Sequence, residues 1–409
     1  MATRLGSAFD RLTLASGISN VGDGAFGAAF PLLVATLTRD PILVAGATFV
    51  GRLPWFLFAL VSGALVDRMD RKKVMVVTDS LRALGVGLIA WGVATDHVGL
   101  PAVYVLAFAL GVAETFFDTS AEALTPALVD EGQLPAANGR LQGLEWVGGS
   151  FLGPPAGAAL FALAASLPFF ADSASFALAA VLVALIPGSF RTLRETQTTI
   201  GEDIRAGIGW LWRQRVVRTL ALLAGITNMF TFGIIAVFVL YAQDILGVSD
   251  SGFGVLLAAL GVGGLAGALL APRIVSALGS GNTLRASLLA QIAGTAAFGF
   301  VSSPWAAGAL LVVFGMLITT WNVVAVSLRQ SLTPDAIRGR VAGASRLLAW
   351  GSQPVGALMG GLVANAFGLR APFFVAAGAF VVSTSVAWQI ISNRSIEEAR
   401  SGKEPSATQ

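Results

Sequence analysis

The sequence predicts an all-α polytopic membrane protein with twelve transmembrane helices in two pseudo-symmetric six-helix bundles. Three observations support this prediction. Of the 409 residues 55% are hydrophobic, long apolar runs recur along the whole chain, and the second half repeats motifs of the first. A soluble domain cannot bury so much apolar surface. About 18 consecutive apolar residues are enough to cross a bilayer core of roughly 30 Å as a helix.

Clusters of charged residues, proline and glycine divide the chain into twelve predicted spans. The spans are 11–37, 42–66, 74–95, 100–127, 140–164, 168–188, 217–243, 251–272, 283–302, 305–329, 339–366 and 370–391. The predicted domains are an N-terminal bundle at 1–188, a cytoplasmic linker at 189–216, a C-terminal bundle at 217–391 and a cytoplasmic tail at 392–409.

The linker carries a helical pattern of its own. Apolar residues recur at helical spacing between Arg and acidic side chains, at Ile204, Ile208, Leu211 or Trp212, and Val216. This pattern predicts an amphipathic helix on the cytoplasmic face that joins the two bundles.

Basic residues give the orientation, because Lys and Arg resist translocation. With both termini inside, 21 of the 26 Lys and Arg lie in the cytoplasm or at its boundary, and Arg39 and Arg370 fall in external loops. We therefore expect a multi-pass protein of the cytoplasmic (inner) membrane, N-in and C-in, in contact with the lipid bilayer and acting as a monomer.

Five motifs of the first half recur in the same order in the second. For example, Arg140 and Pro154 recur as Arg340 and Pro354 at one constant offset. Two six-helix halves in parallel arrangement are typical of rocker-type transporters, which hold substrate near the midplane between the halves.

The stretch 63–73, GALVDRMDRKK, concentrates charge between two apolar runs. It resembles the loop motif that joins spans two and three in the major facilitator superfamily. The residues that match are Gly63, Leu65, Asp67, Arg68, Arg71 and Lys72. Asp70 departs, because the family usually has glycine there. The resemblance implies the major facilitator fold and a gate that pairs when the inner side closes, whereas the simpler alternative is that these charges only set topology.

A second motif lies in the fifth predicted span. Residues 149–157, GSFLGPPAG, resemble the antiporter motif of drug exporters in this superfamily. Gly149, Gly153 and Gly157 share one helix face and allow close approach, while Pro154 bends the helix. Three other stretches resemble the third drug:proton antiporter group, which includes macrolide-efflux proteins and the enterobactin exporter. They are Asp79 to Arg82, Asn138 to Arg140, and Asp172 to Phe176.

Acidic residues at bilayer depth are costly and invite a functional interpretation. Seven lie within predicted spans, all in the N-terminal half: Asp23, Asp79, Glu114, Asp118, Glu122, Glu145 and Asp172. By helix rise, Asp23 lies roughly 18 Å and Glu114 roughly 20 Å from the cytoplasmic span ends. We predict proton coupling at Asp23, Glu114 and Asp118, with Asp118 close enough in depth to pair with Arg82.

Shallower charges are predicted to form an inner network at the gate. Asp79, Glu122 and Glu145 belong to it with Arg82, and Arg140 belongs to the neighbouring loop motif. The alternative is that these acids are paired helix–helix contacts. Asp172 lies near the outer end of its span, where a local cap or hydrogen bond is expected.

The C-terminal half offers neutral polar and aromatic residues near the midplane. The predicted substrate-binding residues are Asn228, Thr231, Phe232, Phe238, Trp321 and Asn322. An acidic wall opposite an aromatic wall suits an amphipathic, often cationic compound. Plain helix packing explains the phenylalanines equally well.

Other chemistry is excluded. The chain has no cysteine, one histidine (His97) and no G-x-x-x-x-G-K-[ST] loop, so we expect no enzyme, no metal, no cofactor and no nucleic-acid partner. The predicted function is a proton-coupled antiporter that exports hydrophobic or amphipathic drugs or siderophores by alternating access, with the proton gradient as its energy source. The alternatives are a proton-coupled nutrient importer and, less favoured, a non-transporting scaffold or sensor.

Overall fold

The computed structural model describes residues 6–66, 68–191, 200–334 and 337–401. Its first seven helices are α1 (Ser7–Leu37), α2 (Pro41–Val66), α3 (Arg71–Ala94), α4 (Leu100–Leu124), α5 (Leu134–Glu145), α6 (Gly153–Leu163) and α7 (Leu167–Ala184). A π-helix, Trp146–Leu152, joins α5 to α6.

The second half follows the same plan. Its helices are α8 (Ile200–Arg213), α9 (Arg215–Leu240), α10 (Asp250–Leu278), α11 (Ser280–Phe300), α12 (Pro304–Leu332), α13 (Arg338–Gly351), α14 (Gln353–Phe367), α15 (Ala371–Ala387) and α16 (Asn393–Arg400). The α13–α14 break precedes Pro354 as the α5–α6 break precedes Pro154, because proline removes a helical N–H and suits a first turn.

Every predicted span overlaps one of these helices or broken helices, which confirms the all-helical fold. Ten helices in the described ranges are long and apolar enough to cross a membrane. Among those ranges α11 does not meet both conditions, and α15 has only 17 residues. The number twelve therefore stays a prediction, as do the orientation and the predicted domain boundaries.

The chain divides into two compact units. Unit 1 comprises Met1–Thr196 with Ala242–Ala258, and unit 2 comprises Gln197–Tyr241 with Ala259–Gln409. The segment after α9 thus groups with unit 1 rather than with the predicted C-terminal bundle. Two contacts explain this grouping: Arg39 donates to Gln243 at 2.6 Å and pairs with Asp244, and Gly254 packs on α6 at Ala158.

Unit 2 also includes the linker helix and the end of the chain. On α8, Leu211 is 1% exposed and packs with Ile208 against α9 and α13, whereas Trp212 is 48% exposed. Ile204 lies among residues whose side chains are not described. On α16, Ile396 is buried, and the Asn393 carboxamide accepts from the Gly281 backbone N–H at 2.6 Å. Much of the predicted tail is therefore a docked helix.

Small residues bring α1 against α6 in unit 1. Gly153 lies against Gly24, and Gly157 lies against the backbone of Ala25. A side chain at either glycine would collide with backbone atoms, which cannot rotate away. This contact fixes the part of α1 that carries Asp23.

We expect Gly157→Ala to destabilise the protein by about 1–3 kcal/mol, because the added methyl group overpacks a backbone contact. The matched control is Gly378→Ala, whose new methyl group meets no atom within 4 Å. A helical Gly→Ala change in open space is neutral or stabilises by up to about 1 kcal/mol. Melting temperatures of the two variants in detergent check this. Equal melting temperatures would contradict this prediction, because they would show that α1 and α6 can move apart at little cost in stability.

Candidate functional site

The basic loop motif ties α3 to the ends of two neighbouring helices. Arg71 Nη1 donates to the Ala123 carbonyl at 2.9 Å, and Lys72 Nζ donates to the Ile186 carbonyl at 2.7 Å. Carbonyls at helix C-termini lack intrahelical partners and attract cations. The two residues therefore hold α4 and α7 within unit 1. Arg68 is exposed.

Two other motif residues remain untested. Gly63 lies near the end of α2, and Asp67 falls outside the described residues.

Asp70, the residue that departs from the family pattern, is the N-cap of α3. Its Oδ1 accepts from the Lys72 N–H at 3.1 Å, and its Oδ2 accepts from Ser189 Oγ at 2.6 Å. Burial alone would raise the pKa of Asp70. The hydrogen bonds from Ser189 and from the backbone N–H groups of Phe190, Lys73 and Lys72 outweigh burial and lower that pKa below its ordinary value of 3.8.

We expect Asp70→Ala to cost about 1 kcal/mol of stability, because it leaves the first N–H groups of α3 without their acceptor. Asp70→Asn keeps an acceptor and should lie between Ala and wild type. Because the folded pKa is depressed, the advantage of Asp70 over Asn is fully present above the unfolded pKa of about 4 and is lost as pH falls from there through the folded pKa. Melting curves of the three proteins from pH 3 to pH 7 measure this. An Asp-over-Asn advantage as large at pH 3 as at pH 7 would contradict it.

Asp79 and Arg82, one turn apart on α3, form a buried pair of opposite charges in unit 1. Asp79 is 0% and Arg82 5% exposed, and Arg82 Nη1 lies 3.8 Å from Asp79 Oδ1. In the described structure neither oxygen of Asp79 has a hydrogen-bond partner. The guanidinium instead lies over the rings of Phe176, at 4.7 Å, and Phe117, at 5.6 Å. Arg82 is thus held by charge and by aromatic faces.

Three further carboxylates act on the same guanidinium. Asp23 on α1 and Glu114 and Asp118 on α4 interact electrostatically with Arg82. We name these five residues (Arg82, Asp79, Asp23, Glu114 and Asp118) the Arg82 cluster. The structure therefore brings together all three acids predicted for proton coupling. The ion pair of Arg82 is with Asp79, however, and not with Asp118, which is exposed.

Glu145 of the predicted inner network interacts electrostatically with Glu114 of the Arg82 cluster. Glu145 is exposed and accepts from Gln142 at 3.0 Å, and Arg140 pairs with Asp10 at 3.1 Å. Glu122 is also exposed. Of the four charges predicted to share that network, Asp79 and Arg82 form an ion pair with each other.

Asp172 has a wider set of interactions than the sequence indicated. This residue is 1% exposed, packs against Gly22 of α1 and interacts electrostatically with Asp23 and Arg82. Its Oδ1 accepts from Ser175 Oγ at 3.3 Å. The expected local hydrogen bond exists, but the residue also borders the Arg82 cluster. Depth counted along one helix does not reveal that α1, α3 and α7 converge there.

The glycine and proline motif supports the same region from α6. A π-helix carries Gly149 and ends just before Gly153, and Pro154 lies in the first turn of α6. Gly24 packs against the Gly149 carbonyl and Gly153. The motif therefore holds α1 one residue from Asp23.

Unit 2 contains a cavity of about 460 Å³ between α9, α11, α12 and α13. Five of the six predicted substrate-binding residues line it: Asn228, Thr231, Phe232, Trp321 and Asn322. Pockets of roughly 300–1,000 Å³ are typical of small-molecule sites. Asn228 also donates to the Ala349 carbonyl at 2.9 Å, so part of its hydrogen bonding is structural.

Phe238 does not line this cavity. It is 7% exposed, and its ring lies 6.2 Å from Tyr241 and 6.3 Å from Phe298. Phe238 follows Phe232 by six residues on α9. It therefore lies beyond the cavity and packs against other aromatic rings. The residues that sequence reasoning missed are Ser287, Gln291, Arg329, Ser345 and Arg346, all of which line the cavity.

We expect Arg82→Met to destabilise the protein by about 3–5 kcal/mol, because it leaves buried Asp79 without a counter-charge. The double variant Arg82→Met, Asp79→Leu removes both charges of the pair and should recover a measurable part of that loss. Melting temperatures in detergent at pH 7 test this. A double variant no more stable than Arg82→Met would show that Asp79 does not depend on Arg82.

Comparisons with known proteins agree with these observations. A family model described as transmembrane secretion effector matches residues 4–406. The chain is 28% identical to the enterobactin exporter of Shigella boydii serotype 4, over 87% of this chain and 85% of that protein. The same exporter of Escherichia coli O1:K1 is also 28% identical, with the same coverage.

Two solved structures show the fold. One is a bacterial homologue of the iron transporter ferroportin, 18% identical with a TM-score of 0.76, over 94% of this chain and 98% of that one. The other is a bacterial homologue of the human lysosomal transporter Spinster, 13% identical with a TM-score of 0.75, over 98% of both chains.

Proposed function

The chain belongs to the transmembrane secretion effector family of the major facilitator superfamily, and we propose that it exports amphipathic small molecules in exchange for protons by alternating access. The known relatives are transporters, not enzymes. Export is supported by the enterobactin exporters, which match over most of their length. The proposal places the protein in the inner membrane with both termini in the cytoplasm.

The Arg82 cluster is the observation on which proton coupling rests. The carboxylates of the Arg82 cluster act on one guanidinium inside membrane-spanning helices. Unbalanced charge at bilayer depth is costly. Binding a proton removes part of the excess negative charge, and releasing it restores that charge. Asp23 and Glu114 are half-buried, which leaves them more accessible to protons than Asp79.

The unit 2 cavity supplies the proposed substrate site. Phe232 and Trp321 offer aromatic surface, and Asn228, Thr231 and Asn322 offer polar groups. A mixed lining of this kind suits an amphipathic molecule. The relatives that match are exporters of enterobactin, which makes siderophores one candidate class beside drugs such as macrolides.

Coupling then needs no residue shared by the two sites. If protons favour one conformation and substrate favours the other, each ligand lowers the affinity for the other by the same factor. Exchange follows because the protein changes conformation in one direction with substrate bound and in the other direction with protons bound.

We expect Glu114→Gln to abolish substrate-dependent proton flux, since glutamine keeps the shape and loses the titratable group. Wild type and variant are reconstituted in liposomes that hold a pH-sensitive dye, with an imposed pH gradient. A macrolide, a tetracycline, a cationic dye and a catecholate are added in turn. The control is Asp130→Asn, which changes an exposed acid between α4 and α5 and should retain flux.

Flux that persists in Glu114→Gln and vanishes in Asp23→Asn would assign the coupling proton to α1. Absence of flux with every compound, in wild-type protein that elutes as a folded species, would contradict the proposed exchange.

A further inference from the structure

Two arginines line the unit 2 cavity and were not expected there. Arg329 lies in the last turn of α12, and Arg346 lies on α13 beside Ser345. Arg329 is half-buried, and among the described residues Arg346, another cation, acts on it electrostatically. Of the described residues that line the cavity, none is an aspartate or a glutamate. The charged end of this cavity is therefore cationic.

Two residues that line the cavity carry a neutral donor without an acceptor among the described residues. Trp321 Nε1 and Ser345 Oγ are buried and have no hydrogen-bond partner among the described residues. Ser345 is 2% exposed. A buried donor left unpaired costs about 1–3 kcal/mol, so native structures rarely keep one without a reason. Indole can only donate, and an oxygen atom of a bound molecule is the partner that it lacks.

The cationic end and the apolar end of the cavity are separated along the helices. Ile318 and Arg329 both line it and lie roughly 16 Å apart on α12, at about 1.5 Å per residue. Phe232 and Ile235 line the same space from α9. The cavity thus offers an apolar region and, at its other end, arginine and unpaired donors.

We propose that this cavity recognises an amphipathic anion, with Arg329 binding its carboxylate, sulfonate or phosphate group and the apolar end holding its hydrophobic body. Arginine suits this task because its fork of donors matches such oxyanions and its charge persists at any physiological pH. This inference deepens the proposed export function and rests on it for the claim that the bound anion is cargo. It replaces the cationic compound expected from the sequence with a negatively charged one.

The experiment is equilibrium dialysis with the full chain in phosphatidylcholine nanodiscs, with empty nanodiscs as the blank. Three probes share one ring system and differ in charge: 2-naphthalenesulfonate, 2-naphthol and 2-naphthyltrimethylammonium. We expect the sulfonate to bind most tightly. Arg329→Gln should weaken its binding about tenfold or more and leave 2-naphthol unchanged, because a hydrogen bond to a charged group is worth about 1.5–3 kcal/mol.

Three further variants test whether the side chains at the cavity themselves recognise the anion. Arg273→Gln removes an exposed arginine of α10 that does not line the cavity, and it should not affect binding. Arg329→Lys should retain part of the preference for the sulfonate. Trp321→Phe keeps a ring and removes one donor, so it should weaken sulfonate binding several-fold even if Arg329→Gln does not fold.

An anionic lipid head group carries the same chemistry as a free anion. Dialysis is therefore repeated in nanodiscs with half phosphatidylglycerol. Competition by this lipid would identify the head group as the bound anion, and unchanged binding would identify a free solute. Both outcomes support an anion site at Arg329.

Equal binding of the sulfonate and 2-naphthol would overturn the inference, as would a folded Arg329→Gln that binds the sulfonate like wild type. Dialysis involves no pH gradient, so its result does not depend on transport. Sulfonate binding without proton flux would refute the proposed exchange and leave the anion site in place. Proton flux without preference for the sulfonate would refute the anion site alone.

Discussion

The attraction between one buried guanidinium and its surrounding carboxylates organises the first unit. Arg82 is almost inaccessible, yet it lies on a helix that spans the membrane, where a lone charge is costly. Asp79 balances it from the same helix, while Asp23 and Glu114 act on it from α1 and α4. The small residues that bring α1 against α6 are needed because a looser α1 would move Asp23 away from this charge.

The repeat relates the two functional regions of the chain. At an offset of 208 residues, at which Ser19-Asn20 recurs in type as Thr227-Asn228, Asp23 corresponds to Thr231 and Glu114 to Asn322. The acids belong to the Arg82 cluster, and their neutral counterparts line the unit 2 cavity. Equivalent helical positions therefore carry titratable groups in one half and neutral polar groups in the other. Under the proposed function, this division lets one architecture serve two ligands.

The sequence predicted the features that depend on one helix alone. It missed the features that depend on contacts between several helices. Apolar runs located the helices, and helical spacing identified the amphipathic α8. Spacing could not choose between Leu211 and Trp212, because positions three and four residues after Ile208 both border the same apolar stripe. Packing on α9 and α13 selects Leu211. The interactions of Asp172 with Asp23 and Arg82, and the place of Arg329 at the cavity, were missed because they come from helices distant in sequence. The N-cap role of Asp70 was accessible, because aspartate before a helix is a strong capping signal.

Separate sites constrain how strongly proton and substrate can be coupled. Each ligand shifts the conformational equilibrium only by its difference in affinity for the two states. A coupling of about 1–3 kcal/mol, roughly 5- to 150-fold, is usual for linked sites. Adding or removing one charge beside Arg82 at bilayer depth is worth about 2.5–3.5 kcal/mol on insertion scales. One proton in the Arg82 cluster is therefore sufficient to couple the two ligands, provided that its surroundings differ between the two states.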